Sequence, residues 1–281
     1  HEAGRPVDRV MMRSSITRRH RGARPATMNS HYPPPLTTIG HVAPVARRIR
    51  AALGAQTILD TTAAQYLWEW PYYPQYQIPL TDIDPAALTV HDDMRDLPHG
   101  TARTVGLAVG EVSRPDAGHV YVNSDNPVLV DTVRLQWEAL DAWYEEDEQV
   151  FVHPRNPYSR VDALRSTRRV RIERAGVLLA ESDAPVMVFE TGLPTRYYLD
   201  RSAVDFARLQ PSDTVTACPY KGRTTGYWSV EIDDRHYPDL AWSYDFPTRQ
   251  LLPIAGLIAF YNERVDVTIE GVAVPRPKTH F

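Results

Sequence analysis

The chain repeats itself. Sliding it by 121 positions aligns residues 47–100 with 168–221 without a gap and produces eleven identities. Arg47, Arg48 and Arg50 fall on Arg168, Arg169 and Arg171, Glu69 on Glu190, Tyr76 on Tyr197, Asp84 on Asp205, Leu88 on Leu209 and Pro98 on Pro219. Further along, an offset of 117 places Trp143-Tyr144-Glu145-Glu146 on Phe260-Tyr261-Asn262-Glu263. A period this long exceeds the roughly 20–50 residues of a solenoid unit, so the repeat is one of whole domains. We expect a degenerate first copy at 41–153, a linker at 154–167 and a motif-bearing second copy at 168–281. The linker begins with Pro154-Arg155-Asn156-Pro157, which suits an extended or turning connection.

Local patterns give the class of each copy. Arg169–Ile172 and Val177–Glu181 flank Ala175-Gly176 and read as a hairpin, with Gly54-Ala55 at the same place in the first copy. Val265, Val267 and Ile269 alternate with Asp266, Thr268 and Glu270, the period of a strand with one dry face. Tyr227–Ile232 and Leu240–Tyr244 read as a strand pair around Asp233-Asp234. Helix is scarce. Ser202-Ala203-Val204-Asp205 and Thr81-Asp82-Ile83-Asp84 each resemble a capping box opening a short helix. Leu135–Tyr144 reads equally as helix or strand. The expected architecture is mainly β: two tandem homologous β-rich domains with short helices.

Charge and cysteine count narrow the function. The net charge of −4 argues against a nucleic-acid partner held by bulk electrostatics. A single cysteine excludes an internal disulfide framework and any zinc site built on three or four thiolates. No apolar run approaches the roughly 20 residues of a membrane span. Residues 1–40 read as a disordered or extended basic leader, with seven arginines in the first 24, Pro33-Pro34-Pro35 and no apolar segment of a secretory signal. Met28 is a candidate start. The lone cysteine and missing signal point to a cytoplasmic protein.

The second copy carries Glu190-Thr-Gly-Leu-Pro194-Thr-Arg196-Tyr197-Tyr198, Cys218-Pro219-Tyr220-Lys221-Gly222, Tyr227-Trp228-Ser229-Val230, Ala241-Trp242-Ser243-Tyr244 and Ile258-Ala-Phe260-Tyr261-Asn-Glu263. These strings resemble the bacterial and fungal family known as domain of unknown function 427, over about residues 40–275, strongly in the second copy and moderately in the first. The resemblance implies a compact β-rich domain similar in topology to the β-tent folds. Relatives of that topology often hold zinc in two Cys-x-x-Cys knuckles; this sequence has neither, so the resemblance implies no metal here. A nucleotidyltransferase label attached to the family implies nucleotidyl transfer.

Read as chemistry, Glu190 and Arg196 stand six apart in a Gly- and Pro-containing loop. They form either a pair bracing the loop or two polar heads facing one cavity, where the Arg fork would take a carboxylate or phosphate. Cys218 and Lys221 stand three apart, and an adjacent ammonium would favour a thiolate; the other reading is a buried, inert thiol. Lys221 is the stronger candidate for holding an anion. Trp228 and Trp242 are the aromatic residues best suited to walling a flat ligand, and Tyr197 follows Arg196 directly. The expected site is therefore a pocket in the second copy lined by Glu190, Arg196, Tyr197, Cys218, Lys221, Trp228 and Trp242. It would hold a small anionic or planar ligand, with no cofactor and no metal, while the first copy, having lost most of the polar set, serves as scaffold or lid. A non-catalytic protein-interaction module with an aromatic cage and a nucleotidyltransferase are the alternatives. Phosphate-binding glycine loops, the Gly-x-Ser-x-Gly elbow and His-Glu-x-x-His are absent, and Asp233-Asp234 is the one close acidic pair of the second motif region.

Overall fold

The computed structural model describes residues 37–279; the expected leader lies outside the described residues up to position 36. The chain forms two compact units, Pro35–Pro157 and a second beginning at Tyr158. Among the described residues no helix is long and apolar enough to cross a membrane.

The first module contains β1 (Val42–Pro44), β2 (Ile49–Leu53), β3 (Gln56–Thr61), β4 (Gln65–Trp70), β5 (Tyr73–Pro79), β6 (Leu88–Leu97), β7 (Gly100–Val109), β8 (Val112–Ser124), β9 (Thr132–Leu135), β10 (Ala142–Glu145) and β11 (Glu148–Val150). The second contains β12 (Val161–Arg165), β13 (Val170–Arg174), β14 (Val177–Ser182), β15 (Val186–Glu190), β16 (Arg196–Leu199), β17 (Leu209–Ser212), β18 (Ala217–Cys218), β19 (Gly222–Arg223), β20 (Gly226–Ile232), β21 (Arg235–Ser243), β22 (Ile258–Phe260), β23 (Asp266–Ile269) and β24 (Val272–Val274). β12 lies inside the segment expected as linker and pairs with β15.

Each module builds a seven-stranded and a four-stranded sheet. The orders are β1-β4-β5-β9-β8-β7-β6 and β11-β10-β2-β3 in the first, and β12-β15-β16-β22-β21-β20-β17 and β14-β13-β23-β24 in the second. The second module adds a two-stranded ribbon, β18-β19. Strand alternation buries one face of each seven-stranded sheet in an apolar core shared with its four-stranded partner. That core holds Ile49, Leu53, Trp68, Ile78 and Leu107 in the first module, and Val170, Leu179, Leu199, Trp228 and Phe260 in the second. Each buried aliphatic side chain contributes about 1.5–3 kcal/mol relative to exposure.

The shared frame extends to fine detail. Gly54 and Ala55 (φ 57° and 62°) and Ala175 and Gly176 (φ 51° and 77°) occupy the same hairpin turn in left-handed backbone, as a two-residue turn matched to strand twist requires. The register shifts at Ala51/Ala52 in one hairpin and at Ile172/Glu173 in the other, again 121 apart. Glu146 and Glu270, both at positive φ, accept from the backbone N–H of Arg48 and Arg169 respectively.

Two sequence expectations change. The capping boxes open no α-helix: only 3₁₀ turns form, at Leu80–Asp82, Arg201–Ala203 and Phe206–Arg208. Asp200 and Asp205 accept from the N–H groups of Ser202 and Ala207, so the acidic side chains stabilise single turns and Ser202 is no cap. The offset of 117 is also replaced. Ile78 pairs with Val133 and Leu199 with Ile258, so Phe260-Tyr261-Asn262-Glu263 corresponds to Leu135-Gln136-Trp137-Glu138. Leu88 pairs with Leu107 and Leu209 with Val230, so Trp228 corresponds to Val105, whereas an unchanged offset of 121 would set it on Leu107.

Candidate functional site

The seven candidate residues divide between two faces. On β16, Tyr197 and Leu199 enter the core between the sheets, whereas Tyr198 points to the opposite, outer face. Arg196 shares that outer face by alternation and lies 5.8 Å over the rings of both Trp242 and Tyr261. Trp228 belongs to the inner core, edge-on to Phe206 at 5.8 Å and folded over Gly226. The outer face therefore gathers Glu190, Arg196, Cys218, Lys221 and Trp242, and leaves Tyr197 and Trp228 behind the sheet.

Cys218 and Lys221 reach that face because of where the chain leaves β17. In the first module the corresponding segment continues as a long hairpin, with β6 and β7 paired as far as Leu97 and Gly100. In the second, pairing stops at Ser212 and Tyr227, and the intervening residues form the β18-β19 ribbon. Its tip is tied to the segment before the 3₁₀ turn at Arg249–Ile254: the N–H of Thr248 donates to the Lys221 carbonyl at 3.1 Å and its hydroxyl to the Tyr220 carbonyl at 2.5 Å. Leu251 and Ile254 from that turn pack with Tyr198, Tyr227, Trp242 and Tyr244. Ribbon and turn together cover an aromatic layer. Phe246 stands 85% exposed between them in sequence.

On this face two ion pairs are largely buried. Lys221 Nζ contacts Glu190, each side chain being about 10% exposed, and lies 3.8 Å from Cys218 Sγ. Arg196 donates to both oxygens of Glu263 at 2.6 and 2.7 Å. Glu190 and Arg196 are thus each paired with another residue and not with one another. Tyr198 links the two pairs: it accepts from Trp242 Nε1 at 3.3 Å and feels the charges of Lys221 and Arg196. Tyr227 and Tyr261 share a 2.6 Å hydroxyl contact, and Tyr261 packs 4.4 Å from Trp242.

Burial dominates the electrostatics. It pulls the Lys221 ammonium down, but Cys218 and Glu190 outweigh it and its pKa rises above the ordinary value. Burial pushes the Cys218 thiol up despite the opposing pull of Lys221, which keeps it protonated at neutral pH and opposes the thiolate reading. The same effect pushes Tyr198 up to about 12. Burial would raise the Glu263 carboxyl too, yet the Arg196 guanidinium holds it below the usual range. Asp233 and Asp234 occupy the exposed turn between β20 and β21. Among the described residues no three His, Cys, Asp or Glu side chains are grouped to hold a metal ion.

Residues 41–146 and 162–271 each match the model of one family, described as Domain of unknown function (DUF427). The chain belongs to the DUF427 family. No curated protein matches it significantly.

As two DUF427 domains on one frame, the modules can be compared strand by strand. The row crossing the outer face of the second seven-stranded sheet is Val186, Tyr198, Ala259, Trp242 and Tyr227. The same row in the first is Gln65, Gln77, Arg134, His119 and Thr104. Glu69 keeps a cationic partner like Glu190, but from within the sheet: Arg134, at the place of Ala259, reaches it at 3.4 Å. The site residues that sequence reasoning missed are Tyr198, Tyr261 and Glu263. Period-two alternation from Arg196 marks Tyr198; Glu263, 67 positions from its partner, carries no local signal.

Proposed function

We propose that the second DUF427 module is a small-molecule binding domain whose site lies on the outer face of its seven-stranded sheet, under the β18-β19 ribbon. The observation that carries this reading is the buried Lys221–Glu190 pair beside Cys218. A buried ion pair is a poor stabiliser, since desolvation consumes much of its Coulombic gain and apolar replacements are often as stable. Perturbed, desolvated charges gathered in one place are, in turn, a recurring mark of functional sites. A ligand with an anionic group takes Lys221 by displacing Glu190, and a planar part of it packs against Trp242 and Tyr261. Arg196, already held at both prongs by Glu263, fixes the aromatic floor. The raised thiol pKa of Cys218 suits a lining role better than a nucleophilic one. The reading is of binding, and assigns no reaction.

The test is a thermal-shift panel of nucleotides, sugar phosphates and amino-acid metabolites. It is run on the wild-type chain and on Glu190→Gln/Lys221→Met, which removes both charges and leaves neither orphaned. A stabilising ligand whose effect disappears in the double variant supports the proposal. No stabilisation across the panel, or stabilisation unchanged in the double variant, overturns it.

A further inference from the structure

The first module carries a polar set that the second lacks. Gln77 on β5, Arg134 on β9 and His119 on β8 are successive neighbours in one row of the seven-stranded sheet: Ile78 registers with Val133, which sets Gln77 beside Arg134, and Arg134 registers with His119. Gln77 is completely buried. Gln77 Nε2, Arg134 Nε and His119 Nε2 are all closed to solvent, and none has a hydrogen-bond partner among the described residues. Leaving a buried polar group unpaired costs about 1–3 kcal/mol, and three in adjacent positions of one row point to an absent acceptor. The Arg134 fork is half used, since only Nη2 reaches Glu69, at 3.4 Å.

A depression of about 530 Å³ opens beside this row, within the size range of small-ligand sites. Gln65 and Thr132 line it. Gln65 is the cross-strand partner of Gln77, and the Thr132 hydroxyl lies 3.2 Å from Gln77 Oε1. The single hydrogen of that hydroxyl goes to the Leu129 carbonyl at 2.7 Å, so Thr132 stays satisfied when Gln77 takes another partner. Leu80, Val128 and Val130 supply apolar wall, Thr81 a hydroxyl and Asp131 a carboxylate, while Gln77, Arg134 and His119 are reached past Gln65 and Thr132 and do not themselves line it.

We propose that the first module has its own ligand site: a small carboxylate with a branched apolar body, its body in the depression and its carboxylate against Gln77, Arg134 and His119. The carboxylate accepts from the Gln77 amide and occupies the open prong of Arg134, a charge-assisted and geometrically specific contact. His119 is held neutral by burial and by Arg134, its pKa lowered to about 4, so it adds a ring N–H without adding charge. Leu80, Val128 and Val130 meet the apolar body.

The probes are 3-methylbutanoate and its neutral amide, followed by ligand-observed NMR on the full chain. We expect saturable binding of the acid and binding of the amide roughly tenfold weaker or less, equivalent to about 1.4 kcal/mol. Arg134→Gln should abolish the preference for the acid. Because Arg134 is partly buried and its loss could disturb the sheet, Val128→Asp at the exposed rim of the depression is the second variant, and it should abolish binding of both probes. Glu190→Gln/Lys221→Met should leave the binding intact, which separates this site from the one in the second module. Absence of saturable binding by the acid, equal binding of acid and amide, or binding undiminished in Val128→Asp would overturn the proposal.

Discussion

Replacing Glu263 by Gln keeps the shape of the side chain and removes its charge, leaving the Arg196 guanidinium buried without a counter-charge. Arg196 and Glu263 are only 12% and 19% exposed and share two short hydrogen bonds, so solvent screens the loss weakly. Breaking a buried pair from one side costs about 3–5 kcal/mol; partial exposure of Glu263 puts the expectation near the lower end, about 3 kcal/mol. For a unit of this size, 1 kcal/mol moves the midpoint by about 3–5 °C, so the transition of the second module should fall by roughly 10 °C. Arg196→Met/Glu263→Gln, with no charge left, should recover most of that loss. The pH dependence has a definite sign. Arg196 holds the Glu263 carboxyl below its usual range, net of the burial that raises it; its contribution is therefore complete above the unfolded value of about 4.3 and is lost as pH falls through the folded value. Calorimetric scans of wild type and both variants from pH 7 to about pH 3 measure all three quantities. A single-variant cost below about 1 kcal/mol, or a gap between wild type and Glu263→Gln that does not narrow on acidification, would overturn this expectation.

Three other predictions address separate parts of the structure. Cys218 should react with iodoacetamide at neutral pH much more slowly than an unfolded-state cysteine, because burial raises its pKa; rapid labelling of the native protein would contradict that. Gly226→Ala should destabilise the second module by about 1–3 kcal/mol, since an added Cβ would lie 2.3 Å from Trp228 Cη2, and denaturant titration reads the loss. Tyr261→Phe removes the 2.6 Å contact with the Tyr227 hydroxyl and should cost about 1 kcal/mol, whereas no loss would show that Tyr227 finds its partner elsewhere.

The sequence made the local chemistry visible and hid what depends on distance along the chain. Gly176 announces a turn because glycine takes left-handed backbone at no steric cost, and that turn is present, with Ala175 drawn into left-handed backbone as well. Val267 and Ile269 announce a strand by alternation, and β23 is there. The Ser202 capping box failed because Asp200 takes the Ser202 N–H that Asp205 would cap, while the Asp205 N–H that Ser202 would cap donates to the Leu179 carbonyl. The later repeat offset failed because insertions between strands shift it, while an ungapped slide matches aromatic-acid strings wherever they fall. At the candidate site, Cys218 and Lys221 are close in sequence and in space. Tyr197 and Tyr198 are adjacent but lie on opposite faces of a strand, so neighbourhood in the chain misassigned one and passed over the other. Arg196 with Glu263 and Lys221 with Glu190 span 67 and 31 positions, and only the sheet order brings them together.

If the face beneath the β18-β19 ribbon of the second module receives an anionic ligand through Lys221, a bound phosphate should be visible there. Crystals soaked in inorganic phosphate test it most directly. The expected result is phosphate density at Lys221 Nζ with Glu190 turned away from it. An intact Lys221–Glu190 pair and no density beneath the ribbon at saturating phosphate would contradict it.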